Sequence, residues 1–285
     1  MKIDLHVHST ASDGTDSPAE LVACAQAAGL DAIALADHDT HRGLSEAQAA
    51  GERLGLAVLS AFELSAHARV AESGETWPVH VLGYGCQPDD PALATELVLI
   101  RQGRANRIPA ILAQLQAAGF PVTLAEVEAQ AGDAQVIGRP HVADAMVARG
   151  YVADRDEAFA LYLRDGGPVL SSRYTPEAAD AIDLIRQAGG VPVLAHPWAR
   201  GGRAWMPPER IRELAEEHGL QGLEADHLGH DDEARAGLRV LADRLGLLAT
   251  GSSDYHGTGK RDNPLGAYTT DPAVYAELLR RCAIA

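Results

Sequence analysis

Five stretches of the chain repeat one pattern: a helix-like segment, a glycine, an apolar run, and a polar residue able to ligate. They read AAGLDAIALADHD, RLGLAVLSAFELS, QAGGVPVLAHP, HGLQGLEADH and RLGLLATGSSDYH. The glycine suits a helix C-cap, the apolar run a buried strand, and the polar residues the loop just past the strand's end. KIDLHVH and WPVHVLGYG supply two further strands. The pattern predicts an α/β fold of about seven strands in a parallel arrangement, of the barrel kind whose active sites lie at the strand C-termini. SPAELVACAQAAG marks a helix start, with Ser17 as N-cap, Pro18 at the first helical position and Glu20 three residues after the cap.

Between about residues 100 and 167 the strand runs disappear and helical stretches follow one another, from IRQGRANRIPAILAQLQAAG to AFALYLRDGG. This predicts a discontinuous barrel, 1–99 and 168–285, carrying a helical insertion over 100–167 that covers the site. No Gly/Ser linker sets the insertion apart, so it is expected to pack against the barrel.

Composition narrows the function. Hydrophobic residues make up 46% of the 285 and charged ones 22%, which supports a large globular core. The formal charge is −16, which argues against a broad surface for duplex nucleic acid or an anionic membrane. Lys2 and Lys260 are the only lysines, so nearly every cation is an arginine, whose planar fork suits carboxylate and phosphate. Cys24, Cys86 and Cys282 are odd in number and set in unlike contexts, which suggests neither a disulfide framework nor a thiolate zinc cluster. With no leader-like start and no long apolar stretch, the cytoplasm is the expected compartment.

The chemistry collects at the predicted strand ends. His6 and His8, two apart on a strand, project from one face and can grip one ion. Other strand ends carry Asp37-His38-Asp39, Glu63, His80, His196, Asp254 and His256, and Asp13 lies in the first loop. Singly, each reads as a hydrogen-bonded structural residue, and Asp37 or Asp39 as a helix cap. Collectively, the six histidines His6, His8, His38, His80, His196 and His256, with Asp13, Glu63 and Asp254, offer nitrogen and oxygen for two or three divalent metals.

Together DLHVHS, ADHD, FELS, VHVLGYG, LAHP and GSSDYH resemble the motifs of the polymerase and histidinol phosphatase (PHP) family of metal-dependent phosphoesterases. RANRI and IGRPHVADAMV are similar to its smaller branch, which includes nucleoside 3′,5′-bisphosphate phosphatases and a 5′-exoribonuclease. The resemblance implies a distorted seven-stranded (β/α) barrel with three divalent ions. His6, His8, Glu63 and Asp254 would hold one; Asp13, His38 and His256 a second; Glu63, His80 and His196 a third, with Glu63 bridging. The family suggests Mn²⁺ first; the mixed imidazole and carboxylate donors also suit Zn²⁺ or Fe²⁺. It also implies attack by a metal-bound, bridging hydroxide, with Asp37 and Asp39 either orienting ligands from behind or capping backbone.

For the substrate, Arg104, Asn106, Arg107, Arg139 and Arg200 are candidates to contact phosphate or nucleotide, while Arg101 reads equally as a solvated helix residue. Arg173 stays open between both roles. His141, beside Pro140 at a helix start, either meets substrate or caps backbone, with substrate expected. His227 reads as structural. The expected partner is a small phosphorylated nucleotide, and the expected reaction is removal of the 3′-phosphate from a nucleoside 3′,5′-bisphosphate such as pAp. A 5′→3′ exonuclease on short RNA keeps the chemistry and changes the substrate. An amidohydrolase often bridges its metals through a carbamylated lysine, but no lysine lies between Lys2 and Lys260. A non-catalytic PHP scaffold would have lost ligands, and all nine are present.

Overall fold

The computed structural model describes residues 1–69, 74–87, 89–132, 137–164, 167–169, 173–260 and 262–284. Seven strands form one sheet in chain order: β1 (Ile3–Val7), β2 (Ala32–Leu35), β3 (Ala57–Arg69), β4 (Thr76–Tyr84), β5 (Val191–Ala195), β6 (Gly222–Asp226) and β7 (Leu248–Gly251). A bridge between Val7 and Tyr255, with the His8 amide donating to the Tyr255 carbonyl at 2.9 Å, draws the two edges together into a nearly closed barrel. Each strand matches one of the predicted runs. Helices α1 (Pro18–Ala27) and α2 (Leu44–Leu54) cover the first strands, and α7 (Ala178–Gln187), α8 (Pro208–Glu217), α9 (Asp232–Leu245) and α10 (Pro272–Ile284) follow the insertion. The expected capping box of Ser17 and Glu20 opens α1.

The all-parallel expectation fails at β4, which pairs antiparallel with both β3 and β5. Only six residues separate Arg69 from Thr76, and a parallel crossover needs a dozen or more. The chain therefore returns as a long hairpin. His80 consequently lies inside β4, opposite Ser65 on β3 and Ala195 on β5, and not past a strand's end. Glu63 likewise lies within β3, because that strand runs on for six residues beyond it.

The four helices of the insertion are α3 (Pro91–Ala117), α4 (Leu124–Ala131), α5 (Arg139–Ala148) and α6 (Arg155–Ala158), and α6 runs into a π-helical turn over Phe159–Leu163. Residue 100, the expected boundary, falls inside α3. The first part of that helix joins the barrel core through Leu93, Leu97 and Ile100. Its second part, with Ile108, Ile111 and Leu115, packs on Val127, Val142, Met146 and Leu163. One continuous helix thus belongs to two cores, so the insertion is held against the barrel.

Gly83 on β4 faces Phe62 on β3, and a Cβ there would stand 2.6 Å from the phenyl ring. The ring is fully buried and cannot retreat. Gly83→Ala is expected to cost about 1–3 kcal/mol and to lower the melting temperature by at least about 2 °C in a thermal unfolding scan.

Candidate metal centre

Glu63 is buried at 1% exposure, and five imidazoles surround its carboxylate. Its Oε2 lies 3.2 Å from His6 Nε2, 3.3 Å from His8 Nε2 and 3.1 Å from His38 Nδ1. Its Oε1 lies 2.6 Å from His80 Nδ1 and 3.0 Å from His196 Nε2. The C-terminal loop closes the ring: Asp254 Oδ1 lies 3.3 Å from His8 Nε2 and 3.4 Å from His256 Nδ1. Asp13 Oδ1 lies 3.3 Å from His256 Nε2, and its Oδ2 lies 3.8 Å from His38 Nε2. All nine expected ligands therefore converge. Three overlapping groups have donor atoms within 4.8 Å of one another: His8, Asp13, His38 and His256; His6, His8 and Asp254; His38, Glu63 and His80.

The donor set itself calls for cations. Glu224, carried down to about 2 despite burial by the His6 imidazole beside it, is an acceptor only. His6 Nδ1 meets it at 3.0 Å, and His6 Nε2 faces Glu63 Oε2 at 3.2 Å and His8 Nε2 at 3.0 Å. Carboxylates and imidazole nitrogens crowded together in a buried space need positive charge among them. Burial works against charging His8, yet the Asp254 and Glu63 carboxylates push it up to about 9. Burial raises Glu63 as well, but His38, His80 and His6 hold it well below the usual carboxylate range. His196 and His256, pushed down to about 4 chiefly by burial, are neutral and ready to ligate. The residues fit divalent metals.

Behind the donors lies a shell of carboxylates that fixes loops. Asp37 accepts from the Ser9 amide at 2.8 Å, Ser9 Oγ at 2.7 Å and Ser12 Oγ at 2.6 Å, and so holds the loop that carries Asp13. Asp39 accepts from the Ser65 amide at 2.7 Å and from Arg104 Nη2 at 2.8 Å. Neither caps α2, whose N-cap is Gly43, so both brace the segment around His38. Among the described residues, the non-glycine residues in the left-handed region are Asp39, His196, Arg200 and Asp254, all at this rim. Backbone strain is thus confined to the site, as where geometry is imposed by function.

A cavity of about 440 Å³ opens above the donors, walled on its far side by the insertion. Arg104, Arg107, Arg139 and Arg200 line it as expected, and so do Arg155, Arg164, Arg173 and Lys260. Two expectations need correction. Asn106 is exposed and absent from the wall, because α3 turns Arg104, Arg107 and Ile108 inward instead. His141 is buried, and its Nδ1 accepts from the Gly138 amide at 3.0 Å, so it closes the start of α5 and does not line the cavity. The hydrogen-bonding role wins because position N3 lets a side chain reach back to the N-cap.

Three contributors escaped the sequence reading. Glu224 accepts from Ser252 Oγ and, at 2.9 Å, from the His196 amide, tying β5, β6 and β7 to His6. Asp4 anchors the β7 loop through the Ser253 amide and hydroxyl at 3.0 and 2.6 Å. His227, read as structural, lies 3.3 Å from Asp254 Oδ2, which also meets Lys260 Nζ at 2.6 Å. The available signal was a carboxylate within an otherwise apolar strand run.

Residues 4–144 match the PHP domain. The chain is 36% identical over 267 residues to the 3′,5′-nucleoside bisphosphate phosphatase of Chromobacterium violaceum, a match covering 93% of this chain and 90% of that one. The chain belongs to the PHP family. A 5′-3′ exoribonuclease of Haemophilus influenzae is 32% identical over 258 residues, 90% of each chain. A solved structure described as that of a metal-dependent phosphoesterase from Bifidobacterium adolescentis superposes with a TM-score of 0.90 at 36% identity, covering 98% of this chain and 96% of that one. This PHP protein is accordingly a metal-dependent phosphoesterase, built on the barrel and donor ring described above.

Asp37→Asn should weaken Mn²⁺ binding by about 10–100-fold, because the Asp13 loop loses its anchor. Asp13→Ala should lower the metal content itself. Elemental analysis of supplemented, desalted protein and a Mn²⁺ titration check both; wild-type values in both variants would contradict the assignment.

Proposed function

We propose that this enzyme removes the 3′-phosphate of a nucleoside 3′,5′-bisphosphate of the pAp type, giving the nucleoside 5′-monophosphate and phosphate. The observation that carries this reading is the concentration of cations around one cavity. Eight of the chain's 24 cationic side chains line a single cavity in a protein of net charge −16. Beside them Ile108, Pro140 and Phe159 supply an apolar surface for a base. A volume of about 440 Å³ lies within the usual range for a small-molecule site.

When bound, divalent cations lower the pKa of a coordinated water and neutralise charge on a phosphoryl group. We assign three, with Mn²⁺ first and Zn²⁺ or Fe²⁺ as alternatives. His6, His8, Asp254, Asp13, His38, His256, His80 and His196 would hold them, with Glu63 shared. The chain's own residues then orient the substrate. Arg104, fixed by Asp39 and by Ser65 Oγ at 2.9 Å, presents a guanidinium that does not have to be ordered on binding. Arg200 and Lys260 also line the cavity, Lys260 against Asp254. Hydrolysis places the oxygen of water on phosphorus, breaks the bond from phosphorus to the 3′-oxygen and leaves a proton on that oxygen. The cytoplasm remains the proposed compartment, on three free cysteines.

A second cavity of about 700 Å³ adjoins the first across Arg155, Arg200 and Lys260. A longer RNA substrate would run into it. Asp144, Asp154, Asp156 and Asp262 line that space and oppose a polyanionic backbone, which favours the small substrate.

Mn²⁺-loaded protein offered pAp and a 5′-phosphorylated oligonucleotide should release phosphate from pAp with the higher kcat/KM. Preferred turnover of the oligonucleotide would replace this reading with the exonuclease. His80→Ala and His196→Ala should each abolish turnover while the melting temperature stays within a few degrees of wild type, since both side chains are partly exposed to the cavity. Unchanged turnover in both would sink the mechanism.

A further inference from the structure

Asp254 stands in the left-handed region at φ 53°, where a residue with a side chain stays only if its surroundings over-determine it. Its carbonyl accepts from His256 Nδ1 at 2.9 Å and from Asn263 Nδ2 at 3.3 Å. Its buried carboxylate is divided between two tasks. Oδ1 faces the donor ring, 3.3 Å from His8 Nε2, 3.4 Å from His256 Nδ1 and 3.8 Å from His6 Nε2. Oδ2 meets Lys260 Nζ at 2.6 Å and His227 Nε2 at 3.3 Å. Glu63, by contrast, gives both of its oxygens to imidazoles of the ring.

The two groups on Oδ2 differ in kind. Lys260 is a partly exposed ammonium on a flexible four-carbon stem, and it lines both cavities. His227 is buried, lines the second cavity and not the first, and is held from behind. The Gly229 amide donates to His227 Nδ1 at 2.8 Å, so Nδ1 carries no hydrogen and the ring N–H is at Nε2, facing Asp254. Gly229 leaves room for this: a Cβ there would stand 3.0 Å from Nδ1 and 2.9 Å from Ala199 Cβ. The loop itself is fixed. The His227 carbonyl accepts from the His230 amide at 3.1 Å, and the His230 ring joins the Trp198 amide, at 3.2 Å, to the Ala225 carbonyl, at 3.0 Å. The His227 ring also packs on that of His196, with centroids 5.0 Å apart. A side chain so constrained needs no further ordering to hold its partner. Charge separates the two groups as well. An ammonium beside Oδ2 draws on the same negative charge that a divalent ion at Oδ1 would use, whereas a neutral N–H orients the carboxylate without opposing the ion.

We propose that His227 is a positioning residue of the metal centre: its Nε2–H holds Asp254 Oδ2, so that Oδ1 is the oxygen presented to a divalent ion. The inference rests on Asp254 being a metal ligand. His227 therefore acts through Asp254 and touches neither substrate nor ion.

Two measurements on the full chain test it, and neither needs turnover. The first is calorimetric titration of chelator-stripped protein with Mn²⁺, in wild type, His227→Gln, His227→Asn and Asp254→Ala. A glutamine amide nitrogen reaches the place of Nε2, an asparagine nitrogen only that of Nδ1. His227→Asn should weaken Mn²⁺ binding about 10- to 100-fold, and His227→Gln by about threefold at most. Equal weakening in both would mean that the ring's packing matters and its N–H does not, which overturns the inference. The second is thermal unfolding in chelator and in excess Mn²⁺. The rise in melting temperature on adding Mn²⁺ should shrink in His227→Asn, while its melting temperature in chelator stays close to that of His227→Gln. A purely structural residue would give the reverse, a lower melting temperature in chelator with the Mn²⁺ increment intact. Wild-type Mn²⁺ affinity in His227→Asn, with Asp254→Ala weakened, would overturn the inference and leave Lys260 holding the oxygen. Wild-type affinity in Asp254→Ala as well would remove Asp254 from the ligands, and the role of His227 with it.

Discussion

One buried carboxylate, Glu63, holds five imidazoles at contact distance, and nearly every irregularity of the fold serves that arrangement. A carboxylate at 1% exposure is tolerable only with compensating charge on both oxygens. Oε2 takes its neighbours from β1 and from His38 after β2, and Oε1 from β4 and from His196 after β5. To reach all of them the residue must lie inside the sheet. β3 accordingly runs past the rim, β4 turns back along it, and a parallel bridge between His38 and Glu63 continues the pairing of β2 with β3. A barrel of uniform parallel strands would offer ligands from its strand ends and loops, as with His6 and His8. The hairpin supplies His80 from a rigid strand instead, directly opposite Ala195 and so beside His196.

The seven strands and the nine converging donor side chains were legible in the sequence because each strand ends, or nearly ends, on a residue that makes no sense in an apolar core. Strand direction was not legible at β4. Direction is set by connection length, and the apolar pattern of WPVHVLGYG is the same whichever way the strand runs. Glu224 and Asp4 were hidden for a related reason. A carboxylate inside a short apolar run gives no indication whether it faces solvent, a ligand or a buried hydroxyl, and here both meet serines of the β7 loop. On α3 the ambiguity is angular. Neighbouring residues on a helix differ by about 100°, so sequence alone could not choose between Asn106 and Arg107. The packing of Gly103 on Tyr174 makes the choice.

His141 shows how one residue type in one motif divides between roles. In GRPH the proline fixes the first turn of α5, and the third helical position then points back at the Gly138 amide. Its Nδ1 is committed to closing the helix. That in turn keeps the start of α5 in place beside Arg104, so a residue outside the cavity lining still shapes the wall.

Charge is where global and local readings part most sharply. A net −16 suggests a protein that repels anions, and at a distance it does. At physiological ionic strength, however, the field of a surface carboxylate dies over about 8 Å, whereas groups lining a recess of low dielectric are screened far less. Inside the cavity the balance is eight cations against Asp156 and the three ligand carboxylates Asp13, Glu63 and Asp254. Those three are already committed to imidazoles or to Lys260. The acidic exterior and the acidic second cavity then act together with the basic wall: a long polyanion meets repulsion along most of its length, and a compact one meets it only on approach. The distribution of charge, which the sum of −16 conceals, would thus favour the small substrate proposed above over a long polyanion.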